Sequence, residues 1–79
     1  MPYISEKDRK YTYLLGPKGP GELNFLFTEA ITDYIEKQGL SYQTINDVVG
    51  ALEGAKLEFY RRVAAPYEDQ KIEENGDVY

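Results

Sequence analysis

Between Pro20 and Gln38, in PGELNFLFTEAITDYIEKQ, apolar residues return at steps of three and four: Leu23, Leu26, Phe27, Ala30, Ile31, Tyr34 and Ile35. That is the period of one helix face. Pro20 suits the first helical position, where an amide hydrogen would go unpaired anyway, and Glu22 sets a negative charge at the positive end of the helix dipole. Gly39 stops the helix by taking the left-handed backbone that other residues resist. Ser41 then reads as the N-cap of a second long helix, from Tyr42 to about Ala65, with Ile45, Val48, Val49, Leu52, Ala55, Phe59 and Val63 on one stripe. Pro66 should end it, because its ring excludes the helical conformation from Ala65 and removes a donor. A short helix is expected to restart at Pro66 and to close at Asn75 and Gly76. Near the start, Ser5 caps a short helix running to about Leu15, and GPKGPG after it has loop composition.

The pattern therefore predicts an all-α fold, a small helical hairpin or three-helix domain. Two long antiparallel helices would be flanked by short N- and C-terminal ones. Residues 1–79 form one domain, and the acidic segment 66–79 is expected to dock rather than float. A chain of 79 residues buries only about 60% of its unfolded surface, and scaffolds of this size usually need a disulfide, a metal or a partner subunit. Cysteine and histidine are both absent. Disulfides and the usual zinc, haem and iron–sulfur ligands are thereby removed, so association as a homo-oligomer is the expected remedy, with no cofactor and no metal. The lack of cysteine also fits a reducing cytoplasm.

The same absences argue against an enzyme, since no histidine-based triad and no cysteine nucleophile can be drawn. The two serines, Ser5 and Ser41, sit where caps belong. A carboxylate-based metal-dependent enzyme would need Asp47, Glu53 and Glu58 to converge. A net charge of −5 argues against broad nucleic-acid binding, which rests on a basic face. No stretch is apolar enough to span a membrane, and the opening MPYISE lacks the pattern of a signal peptide.

Three places carry candidate chemistry. Before the second helix, Gly16-Pro17-Lys18-Gly19-Pro20-Gly21 lacks the spacing of a phosphate-binding P-loop. Free amides there, with Lys18, can still hold an anion, although an ordinary connector explains the composition better. Gly50 and Gly54 lie one turn apart inside the long helix at about 1 kcal/mol each relative to alanine. Close approach of another backbone would account for them, either within the chain or between subunits, with Glu53 beside the strip. Finally, Tyr60, Arg61, Arg62 and Tyr67 form a basic-aromatic cluster at a helix end. Helix-dipole complementation explains the arginines; stacking with a bidentate hold on a phosphate is the functional alternative.

The runs KLEFYRR, APYED and IEENGDVY, here residues 56–62, 65–69 and 72–79, together with PGELNFLFT at 20–28, resemble an uncharacterised family of short prokaryotic and phage proteins. The likeness covers about three quarters of the chain. Its relatives usually carry a longer N-terminal helix, and a cysteine is expected where Gly54 stands. The resemblance implies no activity, but it favours a tail that docks through Tyr67, Ile72, Val78 and Tyr79.

The leading expectation is a non-enzymatic cytoplasmic or phage accessory protein that binds a host or phage protein as a homo-oligomer. Gly50, Gly54, Glu53 and Tyr67 are its interface candidates. The alternative is a phage counter-defence protein that sequesters a cyclic or other phosphate-bearing signalling nucleotide. Lys18, Tyr11, Tyr13, Tyr60, Arg61 and Arg62 would then supply stacking and phosphate pairing.

Overall fold

The computed structural model describes residues 3–79; Met1 and Pro2, the first of the residues read for a signal peptide, lie outside it. Helices α1 (Glu6–Leu15), α2 (Pro20–Gln38), α3 (Tyr42–Phe59) and α4 (Ala65–Asn75) follow in order, with a π-helical turn at Tyr60–Ala64 between the last two. There is no strand among the described residues. The all-α expectation holds. The chain divides into two compact units, one up to Thr44 and one from Ile45 to Tyr79.

Helix boundaries in the first unit follow the local chemistry. Ser5 Oγ accepts the Asp8 amide at 3.1 Å and starts α1. Gly19 precedes α2, Pro20 opens it, and Gly39 closes it with φ 87° and ψ 154°. The positive φ was expected. The extended ψ places Gly39 beyond the left-handed helical well, in a region that essentially only glycine enters. Ser41 caps α3 through a reciprocal pair with Thr44: the Thr44 amide donates to Ser41 Oγ at 3.1 Å and the Ser41 amide to Thr44 Oγ1 at 2.9 Å. This is the capping-box exchange with threonine in place of the usual glutamate.

α1 packs on α2 through Phe25, a large apolar side chain buried to 6% exposure. The Tyr13 ring meets it edge-on at 5.5 Å and 64°, and the Arg9 guanidinium lies 5.8 Å from its centroid. Phe25 is absent from the expected core for a geometric reason. At 100° per residue it lies opposite Phe27 and Tyr34, among Glu22, Thr28 and Glu29. α1 therefore covers the polar face of α2 and leaves the apolar stripe half-exposed, with Leu23, Phe27 and Tyr34 all open to solvent.

The second unit corrects the expectation at Pro66. The helix does not end there: Ala64 and Ala65 both keep right-handed helical dihedrals, and Ala65 donates its amide to the Tyr60 carbonyl. That i→i+5 bond is the physical reason. An α-helix would direct the Arg62 carbonyl at the proline ring and wait for an amide that proline lacks. A wider turn moves that carbonyl aside, so helix runs from residue 42 to 75. Gly76 closes α4 at φ 89°, as expected.

Candidate functional site

The sequence candidates fall into clusters that belong to one unit or the other. In the first unit, the loop before α2 already meets an anion of the chain itself. Glu22 Oε1 accepts the backbone amide of Lys18 at 3.3 Å and the hydroxyl of Thr12 at 2.7 Å. The loop, read first as an ordinary connector and second as an anion site, thus gives its Lys18 amide to a carboxylate placed three residues into the following helix. Thr12 is 2% exposed and has two acceptors at 2.7 Å, the Asp8 carbonyl and Glu22. Its single proton serves one at a time, and the charged oxygen forms the stronger bond. The Lys18 side chain makes no ion pair among the described residues.

Tyr11 and Tyr13, two residues apart, point to opposite sides of α1. Tyr13 packs inward on Phe25. Its phenol is held above the ordinary 10.0, first by partial desolvation and then by the hydrogen bond and charge of Glu29, with Arg9 acting the other way. Tyr11 faces outward with Lys7 and Lys10 in an open groove that Glu6 and Leu14 complete. The Lys7 ammonium lies 5.9 Å from the Tyr11 centroid, within cation–π range. Sequence reasoning missed both lysines; the four-residue spacings of Lys7 to Tyr11 and of Lys10 to Leu14 on one helix were the available signal.

In the second unit the basic-aromatic cluster finds its partners along its own helix. Glu58 Oε1 accepts from Arg61 at 2.9 Å and also from Arg62 Nε. The Tyr60 hydroxyl donates to Glu68 at 2.7 Å across the π turn. That bond, then the Glu68 charge and partial desolvation, raises the Tyr60 pKa above 10.0. Tyr67 carries the Lys71 ammonium 5.4 Å above its ring, and Glu53 pairs with Lys56 at 3.4 Å. Each pair is largely solvent-exposed and contributes at most about 1 kcal/mol. Asp47, Glu53 and Glu58 do not converge: no group of three acidic side chains able to hold a metal occurs among the described residues.

At Gly50 and Gly54 an added Cβ would meet nothing within 4 Å. Leu52 between them is 200° away from each around the helix. The glycine strip and the apolar stripe of Ile45, Val49, Leu52 and Phe59 therefore form separate faces. Of the tail residues expected to dock, Val78 and Tyr79 are 93% and 113% exposed. Among the described residues, no helix is long and apolar enough to cross a membrane.

These features define a small all-α protein whose paired arginines are engaged by its own Glu58 and whose apolar helix faces are open to solvent. The chain belongs to the family described as a domain of unknown function, DUF6899, whose model matches residues 1–78. No curated protein and no solved structure matches it.

Proposed function

We propose that this is a non-enzymatic binding protein that works by protein–protein contact and assembles as a homo-oligomer. The supporting observation is that α1 covers the polar side of α2 around Phe25, while the apolar stripe of α2 stays half-exposed. The helix of the second unit, a single rod, likewise has no other helix within its unit to cover Ile45, Leu52 and Phe59. Apolar surface is the principal source of association free energy, at about 25 cal/mol per Å² removed from water. The setting we propose is a cytoplasm, bacterial or phage-infected, with a host or phage protein as partner. Sedimentation at micromolar concentration tests the assembly. A species of at least twice 9.1 kDa that dissociates on dilution is expected, and a 9.1 kDa species whose unfolding ignores concentration would overturn it.

A second reading, binding of a phosphate-bearing nucleotide, draws support from the Lys7, Lys10 and Tyr11 groove rather than from Arg61 and Arg62, which Glu58 already engages. Calorimetric titration with cyclic di- and trinucleotides tests it; heat abolished by Lys7→Glu and Lys10→Glu supports it, and no heat at high micromolar concentration ends it.

A further inference from the structure

Along the helix that joins α3, the π turn and α4, six large apolar residues follow one line, Ile45, Val49, Leu52, Phe59, Val63 and Tyr67, each between 43% and 62% exposed, while Leu57, Tyr60 and Ile72, also exposed, stand off it. The first, third and fourth are seven residues apart, the repeat of a helix seam. Beyond Phe59 the steps become four and four, which in a regular helix would walk off the seam by about 40° each. The π turn at Tyr60–Ala64 corrects this, because a turn closed by i→i+5 bonds takes more residues per revolution. Val63 and Tyr67 consequently fall back into line with Phe59.

Counted from Lys56, these apolar residues lie 11, 7 and 4 positions before it and 3, 7 and 11 after it. The pattern is close to its own reverse. A two-fold axis at Lys56 would set Ile45 against the partner's Tyr67, Val49 against the partner's Val63 and Leu52 against the partner's Phe59, the self-complementarity that an isologous contact requires.

Charge selects the direction. The first turns of α1, α2 and α4 each carry acidic residues, and that of α3 carries none. In the reversed pairing the partner's Glu68 falls opposite Thr44 and brings negative charge to the positive end of α3. A same-direction pair would instead stack Glu68, Asp69, Glu73 and Glu74 on their own copies. The helix from 42 to 75 is about 50 Å long, enough for a seam of the roughly 800 Å² per partner found in stable interfaces.

We infer that two copies of this chain pair antiparallel along this face with Lys56 at the two-fold axis. This rests on the homo-oligomer reading above and adds the face, direction and register. The chain has no cysteine, so Lys56→Cys and Tyr42→Cys each give one spin-label site on an exposed position. Dipolar electron paramagnetic resonance on each full-length variant is expected to give a short distance, under about 20 Å, between labels at 56, since paired helices lie 8–10 Å apart. Labels at 42 should be about 40 Å apart, from 28 residues at 1.5 Å each. Short distances at both sites mean a parallel pair and overturn the inference while leaving the oligomer intact. Long distances at both mean contact through another face, such as the α2 stripe, with the same consequence. A monomer with no dipolar signal, its face covered by its own α2 as the hairpin expectation has it, overturns both the inference and the reading beneath it.

Discussion

The two units hold themselves together by different means. Up to Thr44, helix meets helix through a mixed contact: one buried phenylalanine, an arginine over its ring, and a threonine–carboxylate bond at the start of α2. From Ile45 onward one helix continues through a π turn, and its side-chain bonds run along its own surface. The first unit therefore has tertiary structure that single substitutions can remove. The second has a helix whose apolar side finds no cover within its own unit. Folding and association are accordingly expected to separate by region.

The largest effect on association should come from Leu52→Asp. A charge at the centre of the apolar stripe is costly to desolvate, so self-association should weaken at least a hundredfold, as read by sedimentation. Contacts within the first unit should persist, as the Tyr13–Phe25 nuclear Overhauser effects will show. Phe25→Ala gives the converse. Emptying a buried aromatic site costs about 3–5 kcal/mol, so α1 should detach and its amides lose exchange protection, while those of α3 keep theirs at fixed oligomer concentration. Ser41→Ala comes next: loss of a cap costs about 1 kcal/mol, and the melting temperature of so small a protein should fall by about 4–8 °C.

Gly50→Ala sharpens the comparison by its sign. With nothing within 4 Å of the new methyl group, helix propensity should stabilise the protein by about 1 kcal/mol. Destabilisation instead would show that another subunit's backbone rests on the glycine strip. The smallest effect concerns pH. Because the folded pKa of Tyr60 lies above its unfolded value of about 10, its bond to Glu68 contributes stability that is complete below that value. The contribution is lost as pH rises through the folded pKa. Tyr60→Phe should remove this alkaline dependence, and carbon-detected titration of the labelled ring should give a midpoint above 10.0.

Most helix boundaries were legible in the sequence because they are set locally. Ser5, Pro20, Gly39, Ser41 and Gly76 act on their own backbone or within one turn, and each stands where the pattern placed it. Phe25 was not legible. Its burial depends on α1 crossing the polar side of α2, and a hydrophobic stripe on the opposite side gives no sign of that. Pro66 misled because the rule against proline in a helix assumes i→i+4 bonding, and the sequence does not show that the turn before it widens. Among the candidate residues, the types were readable but their partners were not. Lys18, Arg61 and Arg62 have the right chemistry for an anion. Glu22 already accepts the Lys18 amide in the loop before α2, while Glu58 pairs with both arginines.

The π turn also bears on how relatives of different length should be compared. A regular helix becomes a π turn when one residue is inserted, and it becomes regular again when that residue is removed. A relative one residue shorter between Phe59 and Ala65 would lose the wide turn, and a proline in the place of Pro66 would then meet the carbonyl four residues before it. The counterpart of Tyr67 would then stand seven residues after Phe59, within about 20° of its line in a regular helix, so the apolar seam would be kept. A single-residue gap at this point is therefore expected to go with loss of the proline and to leave the seam in place.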